Sequence, residues 1–363
     1  MKAIIFAGGV GTRLWPLSRK KTPKQFEKLI DNKSTLQIAI ERLQPAIKPE
    51  DIFISTGEDY VDIASKQLKE IPRENIIGEP VRKDVGPAVA FVMGFMKSKF
   101  SSNEPVFISW SDHMVKDVDK FQKILINAED LIKKSTNKVI FIGQKPRFPS
   151  VNLGYIEYDK KPLAINNGIN IYKFNSFKYR PDKETAEKYF KDGEHCWNLG
   201  YFITTPGFML DAFEKHAPEL ADLNNKIITF LNKPNFKEEF KNLYSKMPSI
   251  SFDNAVLEKL DTKDVNVIVE DIGWSDVGAW EALKEALETK KSDNITLGDT
   301  LLQDSTDNLI YNYDADKLIV GIDLEDMLIV NSSDVLLVTQ KKSVSKIKAL
   351  VESFHGTKHE KLT

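Results

Sequence analysis

A single cysteine, Cys196, occurs in 363 residues. This excludes an internal disulfide framework and a cysteine-rich zinc site. Histidine is scarce as well, with five scattered residues and no grouping that suggests a second metal centre. No apolar run reaches the roughly 18 residues of a membrane span. The N-terminus passes straight from "KAIIF" into glycines, without the apolar stretch and small-residue cleavage site of a signal peptide. Neither sign of charge dominates, because 51 basic and 53 acidic residues leave a formal net charge of -2. That is far from the basic footprint of a nucleic-acid binder. Together these absences point to a soluble, cytoplasmic protein of small-molecule substrates, with neither nucleic acid nor membrane as a partner. Any phosphate site must then be a local cluster.

The composition, 41% hydrophobic and 29% charged, supports a packed core, and the length suggests about two domains. Short apolar runs recur at Lys2–Phe6, Asp51–Ser55, Asn75–Pro80, Pro105–Ser109 and Lys138–Gly143. Between them lie helical patterns at Leu36–Ala46, Tyr60–Ile71 and Gly86–Phe100. Such alternation implies an α/β layer fold with a mostly parallel sheet, whose ligands sit beyond the carboxyl ends of the strands. The character changes near Thr289–Asp299. Beyond it short apolar runs recur at roughly ten-residue spacing, as in a small all-β module. The expected division is therefore 1–288 and 289–363. A final amphipathic helix is expected over Ser343–Phe354, with Ile347, Leu350, Val351 and Phe354 on one face.

The densest signal is "FAGGVGTRLWPLSRKKTPKQF", Phe6 to Phe26. Gly8, Gly9 and Gly11, with Thr12, can form a loop whose backbone N–H groups face a phosphate. Arg13 adds a planar fork of donors and Lys24 a compact charge. Pro23 holds Thr22 out of the helical region. A plain strand-to-helix turn would explain the glycines alone, but not Arg13 and "PKQF" beside them. The Walker loop is excluded because no Lys-Ser or Lys-Thr follows Gly11, and the dinucleotide fingerprint because Leu14 stands where its third glycine belongs.

This stretch resembles the signature of sugar-nucleotide pyrophosphorylases, G-G-x-G-[ST]-R-L-x-P-L-[ST] followed by P-K. The variant ending in Lys-Gln-Phe is most similar to the mannose-1-phosphate guanylyltransferases, in their short form without an isomerase domain. The resemblance extends to about residue 285. It implies a Rossmann-like, GT-A-like nucleotidyltransferase fold followed by a small left-handed β-helix-like domain. It further implies in-line attack of a sugar 1-phosphate on the α-phosphorus of GTP, giving GDP-mannose and pyrophosphate. Arg13 would brace the leaving phosphates, and Lys24 would neutralise charge on the α-phosphoryl oxygens.

"SWSDHM" and "EDIGWSDVGAW" place Asp112 and Asp276 in two distant loops after apolar runs. Magnesium takes one or two carboxylates, with phosphates and waters completing its shell, and the resemblance assigns these two aspartates to Mg2+, with Asp112 also near the nucleotide. A turn cap remains open for Asp112, and a helix cap for Asp276 before the helix expected near Val277. His113 is read as structural, since an anionic phosphate needs no base, and Asp271 is the weaker candidate ligand.

"GEPVRKDVGPAVA" resembles the segment that holds the nucleobase, with Asp84-Val85-Gly86 where Asn-Thr-Ala is usual. Glu79 can accept both guanine donors, with Asp84 second, and Gly86 and Pro87 line the same segment. For the sugar, "NLGYIEY" offers Gly154 and Glu157, and "WNLGYF" offers Asn198, while Trp197 and Phe202 read as core. "FKYRPD" places Tyr179 and Arg180 where Glu-Lys is usual, so Arg180 is the expected phosphate contact. Another sugar 1-phosphate, such as heptose or glucose, or another triphosphate stays open, as does a non-catalytic sugar-nucleotide-binding subunit. The presence of Arg13, Lys24, Asp112 and Asp276 favours a working enzyme. A homodimer through the C-terminal β module is also expected.

Overall fold

The computed structural model describes residues 1–9, 12–19, 23–134 and 138–363. By compactness the chain divides into two units, each drawn from several stretches of sequence. The first comprises Met1–Gly8, Ile40–Trp110 and Lys116–Ile272, and the second Gly9–Ala39, Ser111–Val115 and Gly273–Thr363. This division follows spatial contact and so differs from the expected cut by chain order at 288/289.

The first unit is built on a ten-stranded mixed sheet. Its strands are β1 (Lys2–Phe6), β2 (Ile52–Gly57), β3 (Ile76–Glu79), β4 (Val106–Trp110), β5 (Val139–Gln144), β6 (Gly154–Tyr158), β7 (Ala164–Asn166), β8 (Ile169–Lys178), β9 (His195–Thr204) and β10 (Val265–Val269). The order is β7-β8-β10-β5-β9-β4-β1-β2-β3, with β6 pairing β8 and β9. Strands β4, β1, β2 and β3 are parallel neighbours, as the buried apolar runs and intervening helices require. Strands β7, β8 and β10 were not expected from the sequence, and neither was β9. It runs antiparallel between β4 and β5, with Phe202 opposite Ile108 on one side and Phe141 on the other. Its sequence, "HCWNLGYFIT", is buried along almost its whole length and so lacks the alternation that marks a strand.

Helix Val85–Lys99 covers the sheet, with Val89, Ala90, Val92, Met93 and Met96 fully buried or nearly so. Its N-cap is Asp84, whose side chain accepts from Val85 N–H. The core continues through Phe141, Phe202, Phe213 and Phe252. Among the described residues no helix is long and apolar enough to cross a membrane.

The second unit joins the glycine-loop flank to the C-terminal strands. Thr300 pairs with Ile319 and Leu309 with Leu328 in parallel register, an offset of 19 residues in both strips. The sequence repeats at that interval, "DSTDNLIYN" at Asp304–Asn312 and "DLEDMLIVN" at Asp323–Asn331. Asp304, Asp307, Asp323 and Asp326 all take positive φ at the coil corners, a conformation that aspartate tolerates better than most residues. Within the stack Asn331 donates to the Asn312 side chain at 2.9 Å. This is a strand-rich module of β-helix type.

Against it pack Leu14, Trp15 and Leu17 from the signature stretch, Leu29 and Ile30 just beyond it, and Trp280. Trp280 donates to the Trp15 carbonyl at 3.0 Å and the Tyr311 hydroxyl to that of Leu29 at 2.8 Å. At the C-terminal end Ile347 and Val351 are buried, but Leu350 is 47% exposed. The last α-helix is only Ile347–Glu352, preceded by a 3-10 segment, so Leu350 points outward instead of sharing the buried face expected for it.

Candidate active site

In the second unit, the "PKQF" segment forms a tight turn, Lys24–Phe26, with all three side chains buried. A lysine this deep requires a partner. Lys24 Nζ donates to Asp112 Oδ2 at 2.7 Å and to the Val277 carbonyl at 3.4 Å. Asp112 immediately precedes the strand His113–Val115, which pairs antiparallel with Trp274–Asp276 so that Asp276 lies opposite His113. Val277 N–H donates back to the Asp112 carbonyl at 3.0 Å. One short ladder thus brings the two Ser-Asp pairs side by side.

Arg13 approaches from the turn Thr12–Leu14. A Cβ added at Gly278 would stand 2.9 Å from Asp276 Oδ1 and 3.1 Å from an Arg13 guanidinium nitrogen. Gly278 is therefore where the backbone passes between these groups. His113 packs edge-on to Trp274 with centroids 5.0 Å apart, in keeping with a structural role.

The electrostatics of the two carboxylates differ. Burial works to raise the Asp112 pKa, but the Lys24 ammonium and His113 outweigh it and hold the group well below the usual carboxylate range. For Asp276, burial and then the Asp112 charge push the pKa up, and Lys24 and Arg13 offset this only in part. Adjacent carboxylates of this kind gain from a dication, and their hard oxygen atoms suit magnesium. Among the described residues no group of three or more His, Cys, Asp and Glu side chains could hold a metal. An ion at Asp112 and Asp276 would take its remaining ligands from phosphate and water.

Gly8 and Gly9 follow β1 and are exposed. Gly11 and the Thr12 side chain lie outside the described residues.

In the first unit, Glu79 closes β3. Its Oε1 accepts from Ser55 Oγ at 3.1 Å and its Oε2 from the Tyr244 hydroxyl at 2.7 Å. Burial raises the Glu79 pKa, and these two bonds counter it only partly. Asp84 is occupied as the helix cap described above. Gly86 N–H donates to the Ile250 carbonyl at 3.0 Å, and a Cβ at Gly86 would lie 2.6 Å from that same oxygen. This explains the loss of the usual alanine and commits the Gly86 N–H internally. Pro87 is buried beside it in the first turn of the helix.

Asn198 on β9 pairs with Gly154 on β6, so these two share a face. Asn198 Oδ1 accepts from Gly200 N–H at 3.0 Å, which leaves its NH₂ group as the available donor. Gly200 has φ +69, and a Cβ there would overlap the Trp110 indole. Glu157 is three residues beyond Gly154, so strand alternation turns it to the opposite face. There it accepts from Ser176 Oγ at 2.7 Å. The structure does not bring it together with Gly154 and Asn198.

Arg180 is exposed with φ +45, an uncommon conformation outside glycine. Its guanidinium lies 5.0 Å from the Tyr179 ring centroid and its Nε donates to the Asn152 carbonyl at 3.3 Å. Asp253 on the helix Phe252–Ala255 interacts electrostatically with Arg180, Glu258 and Asp84. Burial first, and then Glu258 and Asp84, push Asp253 up to about 6 against the pull of its own backbone and Arg180. The sequence offered no motif for Asp253, nor for Tyr244.

With this geometry in view, the family model described as nucleotidyl transferase matches residues 2–293. The chain belongs to the nucleotidyl transferase family. Members of this family generally use a divalent metal. The chain is 32% identical over 357 residues to "Mannose-1-phosphate guanylyltransferase 2" of Escherichia coli O157:H7, covering 96% of this chain and 72% of that protein. It is 33% identical to a "Putative mannose-1-phosphate guanylyltransferase" of Vibrio cholerae over 96% of this chain and 73% of that one. Among solved structures, a Thermus thermophilus protein described as a mannose-1-phosphate geranyltransferase superposes with a TM-score of 0.84. It has 26% identity and covers 98% of this chain and 99% of its own.

Proposed function

We propose that this nucleotidyltransferase transfers GMP from GTP to mannose 1-phosphate, giving GDP-mannose and pyrophosphate, with Mg2+ held by Asp112 and Asp276. The observation that carries the reaction type is the cluster of Lys24, Asp112 and Asp276 beside Arg13. The guanine and mannose assignments draw support from the relatives named mannose-1-phosphate guanylyltransferase.

In this reading a phosphate oxygen of the sugar phosphate forms a bond to the α-phosphorus as the bond to the pyrophosphate oxygen breaks. The nucleophile is already anionic, so no side chain needs to remove a proton. Lys24 neutralises charge developing on the α-phosphoryl oxygens, and Arg13 binds the departing β- and γ-phosphates, with the N–H groups of Gly8, Gly9, Gly11 and Thr12 lining the same triphosphate. The bound dication would offset the charge of the triphosphate. Glu79 accepts from the guanine edge, and the Gly86-Pro87 turn shapes that segment. Gly154, Asn198 and Arg180 receive the sugar phosphate, with the Asn198 NH₂ directed to a hydroxyl. Glu157 stands on the other face of its strand, so any part it takes at the sugar is separate from this contact.

In chain order, residues 1–288 supply the substrate contacts, while 289–363 form a left-handed β-helix-like module. The exposed apolar residues Leu301, Val320 and Ile322 on that module support its use in a homodimer, and a cytoplasmic location suits the substrates. The test is turnover of the four nucleoside triphosphates against a panel of sugar 1-phosphates, with products identified by mass. GTP and mannose 1-phosphate should lead, and pyrophosphate release should require both the sugar phosphate and Mg2+. A preference for UTP or dTTP would overturn the guanine assignment, and release without a sugar phosphate would overturn the reaction.

A further inference from the structure

Glu79 sits at the end of the outermost strand of the main sheet, and its carboxylate is held from two sides. Ser55, on the neighbouring β2, reaches one oxygen, and Tyr244 reaches the other across 165 residues of sequence. Both donors are fully buried. Tyr244 lies on the helix Phe236–Lys246, with its ring fixed edge-on between Phe91 and Phe240 at centroid distances of 6.3 and 5.3 Å. Such packing leaves the hydroxyl little freedom of position.

A carboxylate offers about four lone-pair sites. Ser55 and Tyr244 take one on each oxygen and leave one on each, the arrangement that can accept a pair of adjacent N–H donors. A protonated carboxyl would lose that arrangement, because one oxygen would become a donor facing donors. Burial drives Glu79 towards protonation, and the bonds from Tyr244 and Ser55 are the two influences that resist it.

We infer that Tyr244 is a positioning residue for the nucleobase: its hydroxyl fixes the plane of the Glu79 carboxylate and keeps both oxygens as acceptors for the guanine N1–H and N2–H₂ edge. This rests on Glu79 being the guanine acceptor, as proposed above.

Tyr244→Phe keeps the ring packing and removes one donor. The GTP KM should rise roughly tenfold, as expected for the loss of one hydrogen bond to a charged group. The kcat and the mannose 1-phosphate KM should stay as in the wild type. The preference for GTP over ITP, which lacks the 2-amino group, should narrow. Removing the Tyr244 bond removes a lowering influence, so the acid limb of kcat/KM for GTP should move to higher pH. Ser55→Ala removes the opposite donor with little change in packing and should shift the same limb in the same direction. Glu79→Gln separates the two layers of the argument. If Glu79→Gln loses the GTP preference while Tyr244→Phe and Ser55→Ala keep the wild-type GTP KM and acid limb, Tyr244 has no positioning role. If Glu79→Gln itself keeps the preference, the assignment of Glu79 fails and the inference fails with it.

Discussion

Lys24 Nζ and Asp112 Oδ2 are 2.7 Å apart, although 88 residues separate them in the chain. The pair gives each group its counter-ion in the free protein and holds the lysine beside the carboxylates assigned to Mg2+. Lys24→Ala should lower kcat by roughly 10²–10³-fold, the usual effect of losing one preorganised charge-stabilising group. It should also destabilise the protein by about 2 kcal/mol, less than a fully buried pair would show because the Asp112 side chain is 29% exposed. Steady-state kinetics and urea unfolding read the two effects separately. A variant with wild-type kcat would remove Lys24 from the mechanism.

Asp276 carries the opposite sign. Its folded pKa is raised, by burial and then by the Asp112 charge, so the ionised group costs stability at pH values above that folded pKa. The cost fades as the pH falls towards the ordinary carboxylate range. Asp276→Asn should therefore raise the Tm of the metal-free protein at neutral pH, with a smaller gain in acid, while abolishing turnover. Mg2+ at a hundred times its Kd should stabilise the wild type by about 2.7 kcal/mol and the variant by less. Thermal melts with and without Mg2+ at two pH values check both signs.

The residues proposed to bind phosphate stood out in the sequence because they are local. Arg13 and Lys24 lie in one continuous motif, and the two Ser-Asp pairs stand in matching contexts. Their meeting depends on a three-residue ladder, His113–Val115 with Trp274–Asp276, too short to leave a periodic signal. Strand β9 escaped because it is buried on both faces. The 19-residue repeat escaped because its marks are single aspartates and asparagines at coil corners rather than a long apolar pattern. Tyr244 reads as an ordinary core aromatic, and only its hydroxyl bond to Glu79 distinguishes it. Glu157 shares a motif with Gly154, but only the strand geometry shows that its side chain lies on the other face.

Arg180 replaces a lysine expected from the family motif and is held at φ +45 over Tyr179. Arg180→Ala should raise the mannose 1-phosphate KM roughly tenfold, as for the loss of a charge-assisted hydrogen bond, and leave the GTP KM near wild type. Initial rates with each substrate varied in turn test this. Equal losses for both substrates would count against a sugar-phosphate contact.

The C-terminal strands also support the signature loop. Leu14, Trp15 and Leu17 are buried in one cluster with Leu309, Tyr311, Leu328 and Val330. Removing 289–363 would expose side chains worth about 1.5–3 kcal/mol each, a large part of a typical total stability of roughly 5–15 kcal/mol. The truncated chain should aggregate or lose turnover, as read by gel filtration and a pyrophosphate assay. A soluble, fully active 1–288 fragment would show that the loop holds its shape without this support.

The sharpest measurement follows the oxygen atoms. Mannose 1-phosphate labelled with ¹⁸O at its three non-bridging phosphate oxygens is incubated with GTP, Mg2+ and the enzyme, and both products are weighed by mass spectrometry. Attack by the sugar phosphate on the α-phosphorus keeps all the label in GDP-mannose and leaves pyrophosphate unlabelled. Label appearing in pyrophosphate, or no labelled GDP-mannose at all, would contradict nucleotidyl transfer by this site.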